Sequence, residues 1–159
     1  MAPFGGKGKG KMAIKGKVLA VNISRNKGTK KRNARRCELL MGFGLKGDAH
    51  GGHWHRQVSL LANESIDKMR QKGLKAAYGD FAENITTEGI DLMIFPIGTT
   101  LRIGREAILR MTQKGKECHD RCAIYDQMGD CVMPREGVFA EVLQPGHIAV
   151  GDAIEVMKE

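Results

Sequence analysis

Residues 91–115, DLMIFPIGTTLRIGREAILRMTQKG, decide the fold class. Gly98 and Gly104 cut this stretch into short apolar runs separated by glycine turns. Short strands recurring about every 8–12 residues are the signature of a β-sandwich or barrel. Working outward, AIKGKVLAVNIS (residues 13–24) alternates and is rich in Val and Ile, which predicts a first strand. Cys37–Met41 predicts a short strand with its cysteine as a small buried residue, and VSLL at 58–61 a buried one. ENITT (83–87) fits a strand ending in a glycine turn at Gly89, its polar groups facing a pocket or solvent. VFAEVL (138–143) and AIEVM (153–157) add two more, with PGHIAVGD (145–152) read as the turn between them.

One clear helix interrupts the strands. Asn63 is placed to cap it, Glu64 suits its positive end, Ile66 and Met69 give the apolar side, and Gly73 ends it after about Lys72. The expectation is a mainly β, barrel-like fold with one or two short helices. Residues 1–12 are a Gly/Lys-rich tail with little to bury, and residues 13–159 form one domain.

Composition narrows the function classes. Hydrophobic residues are 42% and charged residues 28%, ordinary for a soluble globular chain. No apolar run approaches the roughly 20 residues needed to cross a bilayer, so no membrane partner is expected. The lysine-rich N-terminus lacks the apolar centre of a secretory signal, and four unevenly clustered cysteines suit a reduced compartment; both point to the cytoplasm. The net charge of +8 would attract nucleic acid or a phosphate-bearing ligand equally. Aromatics at 5% leave few stacking platforms, which tilts the reading away from nucleic acid.

Chemistry concentrates in residues 115–137, GKECHDRCAIYDQMGDCVMPREG. Cys118, Cys122 and Cys131 stand there beside His119 and Arg121. The cation next to Cys122 favours its thiolate, the form needed by nucleophile and metal ligand alike. His119 is an acid–base or ligand candidate. The loop GFGLKGDAHGGHWH (42–55) carries His50, His53 and His55 among five glycines; a flexible loop fixes ligand geometry poorly, and these histidines are read as binding nothing permanently. Lys30, Lys31 and Arg56 are candidates to receive a phosphate, and Asn84, Thr86 and Thr87 to hydrogen-bond a ligand's amide-like edge.

In this order and spacing, GLKGDAHGGHWHRQVSLL, GDFAENITTEGIDL, the cysteine stretch and GVFAEVLQPGHIAVGDAIEV resemble a MOSC domain, the module at the C-terminus of molybdenum-cofactor sulfurases. GDCVMPREGVFAEV is similar to the short stand-alone bacterial branch, and the resemblance covers about residues 13–157. It implies a MOSC-like β-barrel that binds the molybdenum cofactor, a pterin dithiolene, or carries sulfur to it as a persulfide. An activity of this kind would be that of a sulfur transferase, in a family also associated with pyridoxal phosphate binding.

The resemblance also assigns roles. Laid on the C-x-R-C of the amidoxime-reducing component, Arg121-Cys122 matches best, making Cys122 the first candidate for working thiol and molybdenum ligand, and Cys118 the second. Arg121, His119 and Asn84 would tune or position it. Here the spacing is one residue longer, and Ala82 stands where those reducers carry an arginine, which leaves cofactor binding or sulfur handling rather than catalytic reduction. Without a fused desulfurase domain, sulfur would come from a partner such as a cysteine desulfurase and pass to a molybdoenzyme. The rival reading is a small basic zinc module on Cys118, His119, Cys122 and Cys131 that meets nucleic acid or a protein; adjacent Cys118 and His119 suit one tetrahedral ion poorly.

Overall fold

The computed structural model describes residues 14–27, 29–115 and 133–157. Seven strands close into a barrel in the order β11 (Ala153–Val156), β7 (Thr100–Ile103), β8 (Ala107–Lys114), β9 (Val138–Gln144), β5 (Val58–Ala62), β6 (Ile85–Glu88) and β1 (Lys15–Ile23). The ring shuts where β1 pairs β11, with Lys15 opposite Glu155. β2 (Arg32–Asn33) extends the sheet beyond β1, and β10 (Gly146–Ala149), β3 (Arg36–Leu40) and β4 (Gly44–Leu45) form a second, three-stranded sheet. The mainly β barrel expected from the strand spacing is what the chain forms.

A ring of seven strands cannot alternate direction all the way round, so one neighbouring pair must be parallel. That pair is β5–β6, with Leu60 opposite Ile85. Parallel neighbours need a crossover, and α1 (Asn63–Gln71) begins it. Val58 and Leu60 point into the barrel core with Val18, Ile85, Leu101 and Leu109. Leu61 faces the other way, into a smaller cluster with Ile66, Met69 and Phe139 beneath α1. Each such fully buried aliphatic side chain contributes about 1.5–3 kcal/mol.

Details depart from the expectation in three places. Asn63 does not cap α1: β5 runs into the helix without a linking residue, so Ala62 takes the cap position with no side-chain bond. The Asn63 amide, already inside the first turn, bonds instead to Asp67 at 3.3 Å and Arg70 at 3.2 Å. PGHIAVGD is more than a turn, because Gly146–Ala149 is β10, registered on β3 with His147 opposite Glu38. The start of 91–115 is not a strand but a 3-10 turn at Leu92–Ile94, which the Asp91 carboxylate caps by accepting from the Met93 amide at 3.1 Å.

The helix stop reads as expected. Gly73, at φ +103°, lets its own amide reach the Arg70 carbonyl and the Leu74 amide reach that of Met69. Leu74 then packs in the same cluster as Met69, closing a Schellman end. A second small helix, α2 (Met133–Glu136), precedes β9.

Gly79 is held more tightly. Its φ is +94°, its carbonyl accepts from the Lys31 amide at 2.9 Å, and a Cβ there would lie 2.3 Å from the Lys31 carbonyl oxygen. Gly98 shares the backbone conformation, φ +100°, with nothing within 4 Å of such a Cβ. Gly79→Ala is therefore expected to cost about 3 kcal/mol or more, and Gly98→Ala only about 1 kcal/mol, by urea unfolding. Equal losses would mean that conformation alone, not the Lys31 contact, decides at position 79.

Candidate functional site

A cavity of about 350 Å³ opens at the start of the parallel pair, where residues leading into β5 meet the loop leading into β6. Its wall is built from Arg56. The guanidinium carbon lies 4.6 Å from the Trp54 ring centroid and 5.5 Å from that of Phe139. Stacking of this kind fixes a guanidinium plane while leaving its edge N–H groups to bond elsewhere. The Arg56 Nε–H is buried and has no partner among the described residues. An unmet buried donor costs about 1–3 kcal/mol, and an acceptor placed in the cavity recovers it.

Trp54 is itself fixed, its indole N–H donating to the His50 carbonyl at 2.9 Å. The glycine-rich loop is anchored through Asp48. That carboxylate accepts from the Ser24 amide at 3.0 Å, the His50 amide at 3.1 Å and the Lys31 ammonium at 2.8 Å. Burial pushes Asp48 up, but the bonds from Lys31 and Ser24 outweigh it and hold the carboxyl below its ordinary range. Both side chains of the Lys31–Asp48 pair are fully buried. His50 lines the cavity, and its Nδ1 sits 3.0 Å from the Lys31 ammonium.

The opposite lip is the loop 79–84. Ala82 adopts φ +65°, a strained value for a residue with a side chain, beside the cavity. Asn84 lines the cavity as well, but its amide is committed to the frame. Its oxygen accepts from the Ser59 amide at 2.9 Å and its nitrogen donates to the Asn22 carbonyl at 3.1 Å. Asn84 thus ties β5, β6 and β1 together and positions the wall. Glu83 is wholly buried and accepts from the Gly79 amide at 2.8 Å, the Phe81 amide at 3.2 Å and the Thr86 hydroxyl at 2.7 Å. Burial nevertheless raises this carboxyl above its ordinary value.

Arg56 and Asn84, two of the residues singled out in the sequence, meet at this cavity. Lys31 stands behind His50, and Lys30 lies at the surface, 4.0 Å from Asp80. Thr86 is spent on Glu83 and Asn22, and Thr87 lines another cavity of about 300 Å³ with Ser65, Lys68 and Glu136. Cys118, His119, Arg121, Cys122 and Cys131 lie outside the described residues. Met133, the first described residue after them, lines the cavity. Cys37 is half-buried, its thiol pushed up by burial. His55 goes to Gln113 at 2.7 Å, away from His50. Among the described residues, no three His, Cys, Asp or Glu side chains are grouped to hold a metal ion.

Sequence reasoning missed Trp54, Phe139 and the His50–Lys31 contact. The available signal was GDAHGGHWHR, where an acid, an imidazole, an indole and a guanidinium fall within nine residues.

The MOSC domain profile matches residues 46–155, most of the chain. The chain belongs to the MOSC domain family. At family level this indicates a function related to the molybdenum cofactor. The fold is similar to that of the YUAD protein from Bacillus subtilis, with a TM-score of 0.75 at 19% identity over 91% of this chain and 96% of that one. It is also similar to YiiM from Geobacillus stearothermophilus, TM-score 0.67 at 18% identity over 90% and 75% of the two chains. YiiM from Escherichia coli gives 0.64 at 18% identity over 91% and 70%. No curated protein matches the chain in sequence. Among the described residues, no helix of this MOSC protein is long and apolar enough to cross a membrane.

The frame of the site carries its own pH signature. A carboxyl raised by folding stabilises the fold below its unfolded pKa, and that stability is lost as pH rises through the folded value. Asp48 and Glu136, both lowered, act oppositely and lose their contribution as pH falls. Comparing wild type with Glu83→Gln isolates the first term. The thermal midpoint of wild type should fall relative to Glu83→Gln as pH rises from the ordinary glutamate range; parallel curves would show that Glu83 is ionised in the fold.

Proposed function

We propose that this MOSC protein binds the molybdenum cofactor, or carries sulfur to it, in the cavity walled by Arg56. The observation that carries the reading is the buried Arg56 Nε–H without a partner among the described residues, on a guanidinium held between Trp54 and Phe139. Such a fork is matched in charge and shape to a phosphate group, and exposed Lys27 at the rim adds a second cation. Phe81 and Phe139 supply apolar walls against which a planar ring system packs. The residues therefore fit the cofactor. When bound, it supplies a metal centre for redox or sulfur chemistry.

The working thiol in this reading is Cys122, with Cys118 second. Arg121 would keep it as thiolate, and His119 would hold or release a proton beside it. The place of Met133 in the cavity wall supports bringing that stretch to this site. Asn84 acts through the frame. Sulfur would come from a partner such as a cysteine desulfurase, with Cys122 as the persulfide carrier.

The test is molybdenum content, with pterin fluorescence after oxidation, on the purified full chain. Wild type and Cys131→Ser are expected to carry the cofactor, and Cys122→Ser to lose it. Arg56→Ala should weaken binding about 10-fold to 100-fold, since a hydrogen bond to a charged group is worth about 1.5–3 kcal/mol. Stoichiometric zinc lost alike from Cys118, Cys122 and Cys131 variants would overturn the reading, as would a cofactor indifferent to Arg56→Ala.

A further inference from the structure

We propose that the hollow between the three-stranded sheet and the β7–β8 hairpin is a separate anion site, suited to a phosphate monoester and carried by Arg36 and Arg105. A cavity of about 390 Å³ lies there, and it shares no residue with the cavity walled by Arg56. Two glycines bring its walls together. A Cβ at Gly146, the first residue of β10, would lie 2.9 Å from the Ala107 nitrogen on β8. One at Gly104 would lie 2.8 Å from Asp152 Oδ2. The hairpin residues Arg105 and Glu106 are thereby held against β10, where they line the cavity with His147 and Arg36.

Strand register sets the rest of the wall. Ala149 stands opposite Arg36, and His147 opposite Glu38. Directly opposed residues share a face, as do residues two apart along a strand. Arg36, His147 and Ala149 therefore lie on one face, while Ile148 turns into the barrel core. The small Ala149 side chain leaves room beside the arginine.

The charges at this hollow are not balanced internally. Among the described residues, the side chains of Arg36, Arg105 and His147 make no hydrogen bond or ion pair, and all three are exposed. Elsewhere on β7 and β8, Arg102 and Arg110 are paired with Glu155 and Glu141. The nearby acids are largely spent: Asp152 Oδ2 accepts from the Ala149 amide at 2.8 Å, and Glu38 lies 4.0 Å from Lys46. The Glu106 carboxylate has no partner among the described residues, and it faces Arg36, Arg105 and the exposed Arg35 next in the chain.

The ligand class follows from the donors. Each guanidinium offers a fork of parallel N–H groups that suits two oxygens. A carboxylate, with two oxygens, is satisfied by one fork. A phosphate monoester has three terminal oxygens and nearly two charges above its second pKa of about 6, so it can bridge two forks. A phosphodiester brings two free oxygens and one charge. The site does not depend on the cofactor-binding reading, because none of its residues belongs to the Arg56 cavity.

The test is a titration of the ¹⁵N-labelled full chain with inorganic phosphate at pH 7.5, followed by backbone ¹H–¹⁵N spectra, with ionic strength held constant by sodium chloride. The amides of Arg36, Arg105, Glu106 and His147 should shift together with one dissociation constant, in wild type and Arg56→Ala alike. Arg36→Ala and Arg105→Ala should each raise that constant about 10-fold, the loss of a hydrogen bond to a charged group. Glu106→Gln should lower it, and dimethyl phosphate should bind more weakly than phosphate. Still amides in wild type, or shifts indifferent to both arginine variants, would overturn the site. Equal binding of dimethyl phosphate would overturn the monoester assignment. Shifts lost in Arg56→Ala would show that the anion sits in the other cavity.

Discussion

The Lys31 ammonium and the Asp48 carboxylate meet at 2.8 Å with neither side chain exposed, and much of the site hangs from that contact. Burying two charges costs several kcal/mol each, offset only where further hydrogen bonds satisfy the remaining capacity of both groups. Here they do. Asp48 takes the amides of Ser24 and His50, and Lys31 takes Ser24 Oγ and His50 Nδ1. The backbone of Lys31 bonds Gly79, the amide of Gly79 bonds Glu83, and Glu83 takes the Thr86 hydroxyl on β6. One ion pair thus joins the loop after β1, the glycine-rich loop and the loop before β6. Those three segments surround the cavity.

The position of the cavity follows from strand count. A seven-membered ring obliges one parallel pair, and β5 and β6 therefore present their starts at the same end of the barrel. At that end side-chain bonds join the ladder, whose backbone pairing continues from the Asn84 amide to the Ser59 carbonyl at 3.0 Å. The Asn84 carboxamide adds to it by accepting from the Ser59 amide, and Ala82 turns the chain at positive φ. At the other end, Ala62 and Thr87 open onto the second cavity, where Glu136 is held by Ser65 and Lys68. Asn84 and Thr87 are three residues apart along an extended chain, or about 10 Å. Asn84 lines the first cavity, Thr87 the second, and Thr86 is turned to Glu83 and Asn22, so ENITT divides between two sites and the interior.

That division also marks what the sequence made legible. Strands announced themselves through alternation and glycine punctuation, as at 13–24 and 98–104, because these signals are local. Gly73 was readable as a stop for the same reason. The Asn63 cap was not, since whether a residue precedes or enters a helix depends on where the preceding strand stops. The family was legible in the order of GLKGDAHGGHWH, ENITT and the final GVFAEV segment. Lys31 was read as a candidate phosphate contact; its burial depends on Asp48, 17 residues away, and no local rule relates the two. The barrel core, being periodic, was legible; the polar network behind the cavity, being long-range, was not.

The basic block between residues 25 and 36 consequently holds two kinds of cation. Lys31 is neutralised by Asp48 and contributes little field outside the protein. Arg25, Lys27, Arg32 and Arg35 remain exposed. Charges of one sign beside a cleft raise the local concentration of anions and speed their arrival, while salt screens this beyond about 8–10 Å. Steering of that kind does not distinguish one anion from another. Discrimination belongs to buried groups, where a donor without an acceptor costs most, as at the Arg56 Nε–H. An arginine or lysine on the rim changes how often a ligand arrives. A change behind the wall alters which ligand can stay.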